Sequence, residues 1–223
     1  MLGDYSDRLR TFTAAVLTDY LTGDNEAPLK RAVIDRGLAQ DFTLSLEDGI
    51  QQPVLFWMAM NTEQEALEPL RAAVRETLEK LVSEGLDKER LRACFHRFAF
   101  RKRDRESGSE PRSLLEAITL LDTWLYGGDP AAALMAEDTL KELEEALETG
   151  WFERFIREFF LENEHTVTLV MVPSKTLAAQ RREKEAARLR KESEGWTEAD
   201  KERLKAEAEA LKAWQQTPTA RKP

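Results

Sequence analysis

At 223 residues and 25.6 kDa, with 42% hydrophobic residues, the chain is long enough to bury one good core and carry an appendage. Charged residues make up 34%, the mean hydropathy is -0.53, and no apolar run approaches the roughly 20 residues of a membrane helix, which excludes a helical span. Cys94 is the single cysteine, so an internal disulfide is excluded, and MLGDYSDRL has no basic flank leading into an apolar stretch; the expectation is a cytoplasmic protein.

Charge is unevenly spread. Residues 1–173 carry 20 Lys+Arg against 33 Asp+Glu, a net of -13, whereas residues 174–223 carry 13 against 9, a net of +4. An acidic body repels a phosphate backbone, so neither nucleic acid nor a membrane surface is an expected partner. A basic peptide would suit it better.

In chain order, Ser6 or Asp7 can cap a first helix running to about Leu21, with Leu9, Phe12, Thr13, Val16, Leu17 and Tyr20 as an apolar stripe expected to lie on a sheet. A shorter helix starts at about Pro28 and ends near Gly37. Asp41 to Asn61 then reads as a β-hairpin turning at Asp48-Gly49. Its first arm alternates Phe42, Leu44 and Leu46 with Thr43, Ser45 and Glu47, the pattern of a half-buried strand. Its second arm, Val54 to Met60, is apolar throughout and predicts a central strand covered on both faces. Because an isolated hairpin is marginal in water, a third strand is expected from His165 to Val172, HTVTLVMV.

Thr62-Glu63-Gln64-Glu65 matches a capping box ahead of a helix striped with Leu67, Leu70, Val74, Leu78, Leu81 and Val82. Pro69 requires either a kink or a helix starting only a few residues earlier. Gly85 closes that helix and Asp87 caps the next, which extends to about Glu106. Three more follow at about Arg112 to Leu125, Ala136 to Leu147 and Trp151 to Leu161, the last with Phe152, Phe155, Ile156, Phe159 and Phe160 as its buried side. After Pro173, residues 174–216 contain 20 charged residues and no β pattern. Gly195-Trp196-Thr197 divides them into two helices with thin stripes, Leu177, Ala178, Ala187 and Leu189 in one and Leu204, Ala208, Leu211 and Trp214 in the other. The reading is an antiparallel helical hairpin, with Thr197 capping its second arm and 217–223 disordered. The fold class is thus α+β, a small mainly antiparallel sheet covered by helices over 1–173, followed by the hairpin over 174–216.

Chemistry is sparse. His96 and His165 have no His or Cys at metal-ligand spacing, and there is no Gly-rich phosphate loop, nucleophile elbow or paired cysteine. Cys94 reads as a small apolar residue on a helix face. Arg101, Lys102, Arg103 and Arg105 form the one basic cluster in the acidic body. Cations at a helix C-terminus complement its dipole, and the same cluster could contact a carboxylate of a peptide or partner.

Several short runs in a fixed order carry a resemblance. They are Gly3-Asp4-Tyr5-Ser6-Asp7 before an apolar helix, Leu21-Thr22 leading to Ala27-Pro28-Leu29, and Gly37-Leu38 before Asp41-Phe42. Gly85-Leu86-Asp87, Gly127-Gly128-Asp129-Pro130 and Val167-Thr168-Leu169 before Val172-Pro173 continue the series. Together they resemble the presequence-protease branch of the pitrilysin/insulinase family of zinc metallopeptidases. That resemblance implies a clamshell enzyme of four similar α+β domains in two halves, joined by a helical hairpin around a chamber where unfolded peptides are cut. It implies that 1–173 is the second domain without its opening strand, 174–216 the connecting hairpin, and the chain a fragment of that enzyme. The family's zinc motif, His-x-x-Glu-His with a distal Glu, matches no position here, so the resemblance carries over no catalytic or metal residue. Its expectations are an inactive chain with no cofactor of its own, zinc in the parent enzyme, and as partners the remaining domains and peptide substrates. The competing expectation is a stand-alone interaction module presenting the hairpin to a partner.

Overall fold

The computed structural model describes residues 3–104 and 111–216. They divide into two compact units, the first ending at Val167 and the second beginning at Thr168.

The first unit is built around α1 (Arg8–Thr22), the helix with the largest share of fully buried side chains. Asp7 caps it, accepting a hydrogen bond from the Arg10 amide at 3.2 Å. The predicted stripe is buried at Phe12, Thr13, Val16, Leu17 and Tyr20, with Ala14 and Leu21 added, because α1 is packed on several sides at once. Its neighbours are β1 (Asp41–Glu47), α2 (Pro28–Ile34), α4 (Lys88–Asp104) and α6 (Glu137–Ala146). Two polar links fix it: the Leu44 amide donates to Thr22 Oγ1 at 3.0 Å, and the Trp151 indole donates to Thr13 Oγ1 at 2.8 Å.

β1 pairs antiparallel with β2 (Val54–Met60), Asp41 opposite Met60 and Glu47 opposite Val54. The first arm is half-buried as its alternation predicts, Phe42 and Leu44 inward. The second arm corrects the expectation of a central strand. Leu55, Trp57 and Ala59 pack on the core, but Val54, Phe56, Met58 and Met60 are 40, 50, 47 and 39% exposed, and β2 is an edge of a two-stranded sheet. An unbroken apolar run hides its own alternation; only the helices available to cover each face decide which side is buried, and here they cover one. The expected third strand is also corrected. Among the described residues His165 to Val172 joins no sheet, and Val167, Leu169 and Met171 are 97, 81 and 85% exposed. β-propensity describes fit to a pleated surface, and a segment that is offered no strand edge does not become a strand.

α3 (Leu67–Glu84) starts late enough that Pro69 falls in its first turn, where a missing N–H costs nothing, so no kink is needed. The capping box does not form: a 3-10 turn over Gln64–Ala66 precedes α3, and the Thr62 hydroxyl donates instead to the Leu38 carbonyl at 2.8 Å. Gly85, at φ 88°, ends α3 in a conformation that a side chain would strain. Asp87 then caps α4, accepting from the amides of Glu89 and Arg90. α5 (Arg112–Trp124) is followed by a 3-10 turn, Pro130–Leu134, and α6. α7 (Trp151–Ile156) continues into a π-helical turn over Arg157–Leu161, burying Phe152, Phe155 and Ile156 while Phe159 and Phe160 pack on the core's edge.

The second unit holds α8 (Leu177–Ser193) and α9 (Glu198–Gln216), neither with a buried residue. Thr197 caps α9 through a reciprocal pair: its Oγ1 accepts from the Asp200 amide at 3.2 Å, and the Asp200 carboxylate accepts from the Thr197 amide at 3.0 Å. The small antiparallel sheet with helices over it makes the chain α+β, and the expected disordered tail, 217–223, lies outside the described residues.

Candidate functional site

The basic cluster sits on the last turn of α4. Burial of Leu91, Cys94, Phe95, Phe98 and Ala99 orients this helix and turns Arg101 and Arg103 outward. Arg103 is already engaged: its Nε and Nη2 donate to the two Glu137 oxygens at 3.1 and 3.0 Å, a forked pair. The hydrogen bond to Glu137 holds the Arg103 guanidinium above its usual range, and the same bond holds Glu137 below the usual carboxylate range. Lys102 lies 5.3 and 5.7 Å from the ring centres of Phe12 and Phe98. Lys102 and Arg103 border a shallow cleft of about 320 Å³ completed by Leu134, Met135, Ala136 and Glu137. Arg8, pushed below its usual value by burial, donates from Nη1 to the carbonyls of Ala132 and Met135 beside it. A carboxylate entering this cleft would compete with Glu137 for Arg103. Arg105 lies outside the described residues.

His96 is exposed on α4 against the Phe95 ring, their centroids 5.5 Å apart, and His165 is exposed far along the chain. Cys94 is fully buried, and burial, with the Asp19 carboxylate adding to it, pushes its thiol up to about 11, the behaviour of an inert core residue. Among the described residues no three His, Cys, Asp or Glu side chains come together as a metal site. The residues present therefore do not fit a resident zinc ion.

The feature that sequence reasoning missed is apolar surface. The outer face of the sheet juxtaposes Val54, Phe56, Met58 and Met60 with Glu47, Ser45, Thr43 and Asp41 across the ladder, a greasy rail beside a polar one. The signal was present in the first arm: if Thr43, Ser45 and Glu47 face water, the register forces their β2 partners to do the same. This surface can lie against an extended chain without reading its sequence.

Residues 171–222 match the family model for the associated region of M16 peptidases, subfamily C. Over longer stretches the chain is similar to Protein HypA of Clostridium perfringens, 31% identical over 194 residues, covering 87% of this chain and 20% of that protein. It is 30% identical over 216 residues to presequence protease 1, chloroplastic/mitochondrial, of Arabidopsis thaliana, covering 94% of this chain and 20% of the relative. With the mitochondrial presequence protease of Mus musculus it shares 23% identity over 208 residues, again 20% of that protein. The chain spans about a fifth of the length of these relatives. Family model and relatives agree with the ordered runs from Gly3 to Pro173, and the chain belongs to the presequence-protease branch of the M16 peptidases, matching a segment of its members.

Proposed function

We propose that this chain serves as a non-catalytic wall and hinge of a zinc metalloendopeptidase that degrades unfolded peptides. The observation that carries the reading is the match of 94% of the chain to about a fifth of a presequence protease. In this reading the zinc and its catalytic residues lie in other domains of the same polypeptide. The outer face of the β1–β2 sheet supplies chamber surface: Phe56, Met58 and Met60 offer sequence-independent contact, and the net charge of -13 over residues 1–173 draws basic peptides by long-range attraction that salt weakens. α8 and α9, bare of buried side chains, act as the hairpin about which two halves of the enzyme open and close.

The test is the gene on either side of this segment and the product it encodes. The expected result is an open frame running upstream into His-x-x-Glu-His, whose purified product cleaves unfolded peptides, loses that activity to a chelator, and cleaves basic peptides preferentially at low salt. A frame that encodes this chain alone would overturn the reading in favour of a stand-alone interaction module.

A further inference from the structure

Helix α5 is turned inside out relative to its neighbours. The side facing its own unit presents Leu115, Glu116, Thr119, Leu120 and the buried Thr123, whose hydroxyl donates to the Asp129 carbonyl at 3.0 Å. The opposite side carries Leu114, Ile118, Leu121, Trp124 and Leu125, exposed by 48, 50, 38, 63 and 68%. A surface helix ordinarily buries its more apolar face; this one shows it.

The spacing of that face is informative. Leu114, Ile118, Leu121 and Leu125 follow one another at intervals of four, three and four, the seam by which one helix interlocks with another. No charged residue interrupts the seam, and Trp124 flanks it, the composition of the dry centre of a protein interface rather than of a chamber wall. The β2 face differs: its apolar row is edged along its whole length by Asp41, Thr43, Ser45 and Glu47.

We infer that the outward seam of α5 is the surface by which this unit packs permanently against an apolar helix of another domain of the same polypeptide. The inference rests on the function proposed above. The occupant follows from the relatives, of which about four fifths lies outside the matched stretch, and from the seam's spacing, which fits a helix and not an extended peptide.

The test uses single-cysteine labelling, which the native Cys94 does not disturb because it is buried. Ile118→Cys and Leu121→Cys, with Ser113→Cys as an exposed control on the same helix, are placed in this chain and in the longer polypeptide and labelled with a maleimide under reductant. All three are expected to label freely in this chain. In the longer polypeptide the two seam positions slow by about tenfold or more while Ser113→Cys keeps its rate. Equal rates at the seam in both proteins overturn the inference, while retained peptide cleavage by that same polypeptide leaves the wall-and-hinge reading standing. Seam labelling that slows with concentration in this chain alone also overturns it, assigning the seam to a second copy. Absence of any longer polypeptide removes the proposed function and the inference together.

Discussion

The bond between Trp151 and Thr13 joins two helices 138 residues apart, and replacing Thr13 by Val isolates it. Thr13 is 0% exposed, and valine has nearly its shape, so packing is retained while the acceptor of the indole N–H at 2.8 Å disappears. The Thr13 hydroxyl's own donation to the Leu9 carbonyl, at 2.7 Å, is lost as well, but that carbonyl keeps its place in the α-helical ladder. A donor left unsatisfied in a largely buried setting costs about 1–3 kcal/mol. For a unit of this size each kcal/mol lowers Tm by about 2–4 °C, so a fall of roughly 2–12 °C is expected. Urea titration followed by circular dichroism and by tryptophan emission reads it, with Trp151→Phe and the double variant completing a cycle. The expected coupling is positive, the double variant losing less than the sum of the singles by about 1 kcal/mol. Additive losses, or a Thr13→Val protein within about 0.5 kcal/mol of the parent, would refute the assignment of this bond as a tie between α1 and α7.

The two faces of β2 predict opposite responses. Phe56→Ser, on the exposed face, should change stability by no more than about 0.5 kcal/mol, whereas Trp57→Ala, which removes ring contacts at 6.1 Å to Phe42 and 5.1 Å to Phe160, should cost about 3 kcal/mol in the same titration. Cys94 should resist a thiol reagent at pH 8 and release one equivalent on unfolding. Since its folded value of about 11 exceeds the ordinary 9, the stability it contributes is complete below pH 9 and lost as pH rises toward 11; Cys94→Ala should flatten that part of the curve. Asp122 is held above the usual carboxylate range by burial first and by Asp48 second, so its contribution is favourable only below its unfolded value and is lost as pH rises through the folded one. Asp122→Asn should therefore raise the denaturation midpoint at pH 7 and leave it unchanged at pH 3. Gly85→Ala, at φ 88°, should cost about 1–3 kcal/mol by differential scanning calorimetry.

Local rules were legible in the sequence wherever a few neighbouring residues settle the matter. Asp7 and Asp87 cap because a short carboxylate reaches the free amides of the turn that follows, and Thr197 with Asp200 does so reciprocally. The stripe of α1 and the phenylalanines after Trp151 mark the core because their periodicity leaves one side to bury. The ordered runs that carry the family resemblance are of the same kind, since each is a turn or cap with strict backbone demands.

What lay beyond the sequence was the supply of partners. The apolar run of β2 is compatible with one buried face or two, HTVTLVMV with a strand or an exposed segment, and the stripe of α5 with a core or an open seam. Thr62 could have closed a capping box, but the Leu38 carbonyl from a residue 24 positions away offered its hydroxyl a better acceptor. The sequence by itself determined which residues seek burial and where helices begin and end, because those follow from side-chain chemistry and near neighbours. Only the tertiary structure decided which apolar faces are covered, because covering a face requires a second surface brought from elsewhere in the chain, and for β2 and α5 the first unit leaves an apolar face open.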